Sequence, residues 1–141
     1  MTKSNETMAG AAVVDISPPD TGARRIWMAG YKPDRYATGR EGPIEARALA
    51  LGSGVSGLLI VTMDTCLLSP LTARRWAAAI AGATGLPPAR VFITATHTHS
   101  GPDLTFLFGG VPLSYFRQVC DGVTDAALCA WAARAPARMY A

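Results

Sequence analysis

Residues 58 to 96 constrain the fold more than any other part of this chain. "LLIVTMDT" (58 to 65) is a continuous apolar, β-branched run of the kind that forms a strand covered on both faces. Ser69-Pro70 follows as an N-cap and first-turn proline. Ala73, Trp76, Ala77, Ile80 and Ala83 then recur at helical spacing until Gly85 and Pro87-Pro88 stop the run. "ARVFITAT" (89 to 96) is a second strand-like run. Strand, helix and strand of these lengths read as a βαβ unit with parallel strands and a right-handed crossover, which puts the chain in the α/β class.

The flanking segments extend the same sheet. "GAAVVDIS" (10 to 17) reads as a short strand that stops at Pro18-Pro19. "IEARALALGS" (44 to 53) alternates Ile44, Ala46, Ala48 and Ala50 against Glu45, Arg47, Leu49 and Leu51, and the flexible "GSGVSG" joins it to 58 to 65 as a hairpin. Phe116, Val119, Cys120, Val123, Ala127, Ala130 and Trp131 mark a long amphipathic helix. The expected architecture is a mixed sheet flanked by helices, with the histidine-bearing strand central. "PARMYA" opens a further strand that nothing completes, leaving a bare sheet edge. Residues 1 to 141 therefore read as an incomplete portion of one larger layered domain.

Composition narrows the function. The formal charge of +3 comes from 13 basic and 10 acidic residues scattered along the chain, which is no footprint for nucleic acid. The 3 cysteines form no CxxC, so neither a disulfide framework nor a zinc knuckle is indicated. The polar "MTKSNETMAG" lacks the apolar core of a secretory signal, and no run of about 18 apolar residues offers a membrane span. Cytoplasm is the default location, or secretion if the true start lies upstream. Oligomeric state cannot be read from these features.

Both histidines stand in one stretch, "TATHTHSGPD" (94 to 103). In a parallel sheet ligands gather beyond the carboxyl ends of the strands, where His97 and His99 lie, with Asp64 at the same end of the neighbouring strand. Residues i and i+2 of an extended backbone point the same way, so both imidazoles can face one point. That suits a metal ion or a polarised carbonyl; a hydrogen-bonded surface pair is the plainer alternative. Asp64 is placed to orient a ligating histidine, or serves as a loop or helix-capping carboxylate. Ser100, Gly101 and Pro102 force a turn straight after the pair. The long Gly- and Pro-rich segment 18 to 43 carries Met28, Tyr31 and Tyr36 as a satellite apolar cluster or a substrate wall. Cys66 reads as a small buried residue rather than a nucleophile.

"TATHTHSGPD" together with "DISPP" (15 to 19), "MAGY" (28 to 31), "GPIEARALAL" (42 to 51) and "LLIVTMDT" resembles, in order and spacing, the N-terminal part of the neutral/alkaline non-lysosomal ceramidase family. The resemblance implies a zinc-dependent amidase that hydrolyses the N-acyl bond of ceramide, or a related lipid amide, to sphingosine and fatty acid. It implies His97 as a zinc ligand and His99 as the group that meets the amide oxygen; Asp64, Ser100, Gly101 and Tyr31 are read beside them as residues that line or support the site. The family completes its site with a further histidine, a glutamate and a tyrosine from downstream. This chain has no third histidine, so by itself it is expected to be inactive. Two other readings stand beside this one. One is another HxH metal hydrolase: Gly101 occupies the aspartate position of the metallo-β-lactamase HxHxDH pattern, and three strands precede a pair that normally opens an amidohydrolase barrel. The other is a non-catalytic truncated module.

Overall fold

The computed structural model describes residues 7 to 19, 25 to 32 and 34 to 139. The polar start, residues 1 to 6, lies outside them, as do residues 20 to 24 and Pro33 of the Gly- and Pro-rich segment and the last two residues of "PARMYA". The elements run β1 (Thr7–Asp15), β2 (Glu45–Leu51), β3 (Leu58–Met63), α1 (Pro70–Thr84), β4 (Val91–Ala95), α2 (Leu113–Ala132) and β5 (Ala135–Ala137). They form one five-stranded mixed sheet in the order β4-β3-β2-β1-β5.

β2 and β3 pair antiparallel, and β3 and β4 pair parallel through α1, as the hydrophobic patterns require. α1 begins at Pro70 and ends before Gly85, the two local stops legible in the sequence. Ser69 holds the N-cap position without a side-chain capping bond; its carbonyl accepts from Ala73 N at 2.9 Å instead. β1 starts three residues earlier than its apolar run suggests, because Thr7 to Ala9 are paired with β5.

The histidine-bearing strand is not central. β4 pairs only with β3 among the described residues and forms a sheet edge, with Phe92 51% exposed. An apolar run shows that a strand is buried on a face but not how many neighbours it has, and here the crossover returns the chain to the outside of β3.

Both helices pack on one face of the sheet. Ala46, Ala48 and Ala50 of β2 meet Ala126, Ala127 and Ala130 of α2 in a seam of small side chains, and Leu59, Val61 and Met63 of β3 complete the core with Trp76 and Ile80 of α1. Burying each large aliphatic side chain here contributes about 1.5–3 kcal/mol. Tyr115 of α2 donates to the Ile16 carbonyl at 2.8 Å and ties the helix to the end of β1. No helix among the described residues is long and apolar enough to cross a membrane.

Candidate active site

The site forms where β3 and β4 end side by side. Thr96 N donates to the Met63 carbonyl at 3.0 Å and His97 N to the Thr65 carbonyl at 3.1 Å, so the two chains stay bonded past the last residue of β4. His97 then turns into the left-handed region, with φ +64°. The backbone is therefore not extended through the pair, and strand alternation does not aim the two rings. The turn aims them: Nε2 of His99 lies 3.4 Å from Nε2 of His97, with ring planes at 80°.

Hydrogen bonding sets the tautomers. His97 Nδ1 lies 2.7 Å from the Cys66 carbonyl oxygen. A carbonyl only accepts, so Nδ1 carries the proton and Nε2 presents its lone pair outward. Across from it, His99 Nδ1 is buried with no partner, which leaves Nε2 as the nitrogen whose proton finds an acceptor, namely His97 Nε2. That same His97 lone pair is what a metal ion would bind, in place of the long contact from His99. Donor atoms of Cys66, His97 and His99 all lie within 4.8 Å of one another, and nitrogen and sulfur donors suit zinc better than magnesium or calcium. The Cys66 thiol sits at the Nδ1 edge of His97, 3.8 Å away, rather than at Nε2.

Asp64 stands elsewhere than the sequence suggests. Its carboxylate accepts from Arg47 at 3.0 Å and from Glu45 N at 3.1 Å, and it makes no hydrogen bond to either histidine. Along β3 it shares parity with Thr62 and Ile60, so its side chain falls on the face opposite the helices. The partner that orients His97 is a backbone carbonyl, which residue type could not reveal. Cys66 is buried, as its type suggests, yet lies against His97. Its place at the carboxyl end of β3, two residues after Asp64, was the available signal.

Residues 27 to 29 run alongside the histidine turn. Asp103 N donates to the Trp27 carbonyl at 2.7 Å, Ala29 N to the Gly101 carbonyl at 3.3 Å, and Met28 pairs with Pro102. Gly101 is buried, and a Cβ there would lie 3.0 Å from the Asp64 carbonyl oxygen, so this close approach favours glycine. Ser100 is exposed and its N–H donates to Thr98 Oγ1 at 3.2 Å. Gly30, at φ +90°, lies flat against the His99 ring; a Cβ there would be 2.5 Å from Nδ1. Tyr31 packs edge-on against the same ring, with centroids 4.6 Å apart, and is 82% exposed.

Asp103, within the histidine motif but without an evident task in the sequence, organises the loop behind the site. The buried carboxylate accepts from Thr105 N at 3.0 Å, Thr105 Oγ1 at 2.6 Å, Phe108 N at 2.7 Å and Gly110 N at 3.0 Å. Burial pushes its pKa up, but the donors from Thr105, Phe108 and Gly110 outweigh burial and hold it below the ordinary value.

No protein-family model matches this sequence, and no curated protein matches it. Solved structures do. The crystal structure of neutral ceramidase from Pseudomonas aeruginosa matches with a TM-score of 0.74 at 25% identity over 93% of this chain. This chain has the fold of part of a neutral ceramidase. A second structure, a ceramidase complexed with C2, matches equally well in shape at 23% identity. The chain spans 22% of the length of each ceramidase chain. The Cys/His/His group beyond the carboxyl ends of β3 and β4 is compatible with a metal ion.

Proposed function

We propose that this chain contributes the N-terminal portion of a single catalytic domain of a zinc-dependent amidohydrolase of neutral ceramidase type. The substrate class is the N-acyl amide of ceramide or a related lipid, cleaved to sphingosine and fatty acid. The observation that carries the reading is the tautomer arrangement of the pair: a His97 lone pair held outward by the Cys66 carbonyl, with a His99 N–H facing it at 3.4 Å.

His97 would hold the ion through Nε2. Zinc, when bound, supplies a Lewis acid that polarises the amide carbonyl and makes water nucleophilic near neutral pH. His99 keeps its proton on Nε2 and offers it to the amide oxygen as negative charge builds there, an interaction that strengthens in the transition state. Tyr31 and Gly30 hold that ring in place, and Tyr31, being largely exposed, offers apolar surface to an acyl or sphingoid chain.

The test uses the protein that carries this chain, a short-chain N-acylsphingosine and measured zinc content. His97→Ala is expected to lose both zinc and turnover. His99→Ala is expected to keep zinc and lose about 10²–10³-fold in kcat. Turnover that survives His97→Ala would refute the reading, and the 141-residue chain alone is expected to show none.

A further inference from the structure

We infer that Arg35 is a positioning residue for His99, setting both the path of its backbone and the orientation of its ring. The inference rests on the functional reading above only for its catalytic consequence; the structural claim stands on contacts within this chain.

Arg35 lies 64 residues before His99 and reaches it directly: Nη2 donates to the His99 carbonyl oxygen at 2.7 Å. The same guanidinium touches the segment that walls the ring. Nη1 approaches the Gly30 carbonyl at 3.4 Å, Nη2 lies 3.8 Å from the Met28 sulfur, and the cation stands 5.2 Å from the centroid of Tyr31. Gly30 and Tyr31 are the two residues that confine the imidazole. One planar cation therefore joins the backbone of residue 99 to both confining residues.

This matters because the His99 ring has no hydrogen bond of its own at Nδ1. His97 is oriented by a short bond to the Cys66 carbonyl, whereas the His99 ring has the long 3.4 Å contact to His97 and is oriented mainly by packing. Packing walls orient a ring only as well as they are themselves held. Tyr31 and Asp34 both take left-handed backbone conformations, φ +62° and +64°, which cost free energy unless tertiary contacts over-determine them. Arg35 supplies such a contact to Tyr31. Lysine cannot replace it, since an ammonium lacks the fork that spans two carbonyls and the plane that lies over an aromatic ring.

The two histidines supply an internal control, because only one of them depends on Arg35. The experiment compares the wild-type chain with Arg35→Ala and Arg35→Lys. Ring proton–nitrogen NMR correlations of both imidazoles are recorded with far-ultraviolet circular dichroism and the thermal midpoint. In Arg35→Ala the His99 ring signals are expected to broaden or move away from a single Nε2-protonated pattern while the Nδ1–H signal of His97, held by the Cys66 carbonyl, stays put. Arg35→Lys should restore the pattern only in part. In the whole enzyme, kcat for N-acylsphingosine should then fall about 10–100-fold with KM little changed, because a displacement of about 1 Å at a reacting group can cost that much.

His99 signals unchanged in Arg35→Ala would overturn the inference. So would equal disturbance of both rings with loss of helical signal, since Arg35 would then be supporting the fold at large. If His99 alone moves but the whole enzyme does not hydrolyse amides, the positioning role stands and the functional reading fails.

Discussion

Replacing Asp103 tests how the loop behind the site is held. Its carboxylate receives four hydrogen bonds from Thr105, Phe108 and Gly110. Hydrogen bonds to an ionised group contribute about 1.5–3 kcal/mol each, while donors freed in a loop regain part of that from water, so Asp103→Ala is expected to cost about 4 kcal/mol. Asp103→Asn keeps one acceptor oxygen but turns an NH2 toward two of the donors, and should cost roughly half as much. The assay is urea unfolding followed by circular dichroism, where the midpoint should fall with the slope unchanged. An alanine variant within about 1 kcal/mol of wild type would refute the reasoning, since surface substitutions scatter over about half that range. The pH dependence follows from the lowered carboxyl pKa. The stabilisation is full above the ordinary value of 3.8 and is lost as pH falls through the lower value of the folded state. Asp103→Asn should lack that part of the acid sensitivity.

Gly30→Ala should displace the His99 ring, because the new Cβ would lie 2.5 Å from Nδ1 on a backbone at φ +90°. A left-handed alanine alone costs about 1–2 kcal/mol, read as a lower thermal midpoint, and the ring displacement should appear in the His99 NMR signals while the His97 Nδ1–H signal is unmoved. Tyr115→Phe removes a buried hydroxyl that donates to the Ile16 carbonyl and should cost about 1–2 kcal/mol in the same urea assay. Burial, with Asp15 nearby, pushes the Tyr115 pKa well above its ordinary value of 10.0, so its stabilising share is full below that pH and is lost as the solution rises through the folded-state value. In Tyr115→Phe that share of the alkaline loss should be gone.

Much of the fold was legible because its signals are local. Pro70 and Gly85 bracket α1 by conformational rules that need no tertiary contact, and the alternation of Ala46, Ala48 and Ala50 against Arg47 and Leu49 shows which side of β2 meets the helices. The hairpin and the parallel βαβ unit follow from the lengths of the connections. Asp64 could have been assigned by the same parity: it stands in step with Thr62 and out of step with Met63, so it belongs to the face away from the helices. Cys66 and Arg35 were harder. Nothing in the type of either residue names its partner, and Arg35 acts across 64 positions of sequence.

The sequence by itself determined the α/β class, the element order and the end of the sheet where both histidines lie, because periodicity and turn residues act over a few positions. Only the tertiary structure decided that β4 is an edge strand, that Asp64 turns toward Arg47, and that His97 leaves the strand in a left-handed turn held by the carbonyls of Thr65 and Cys66. Those outcomes depend on which backbone groups remain unpaired once the chain is packed. Donors and acceptors in the backbone are the same at every residue apart from proline, so the side-chain pattern could not encode which of them would meet the imidazoles.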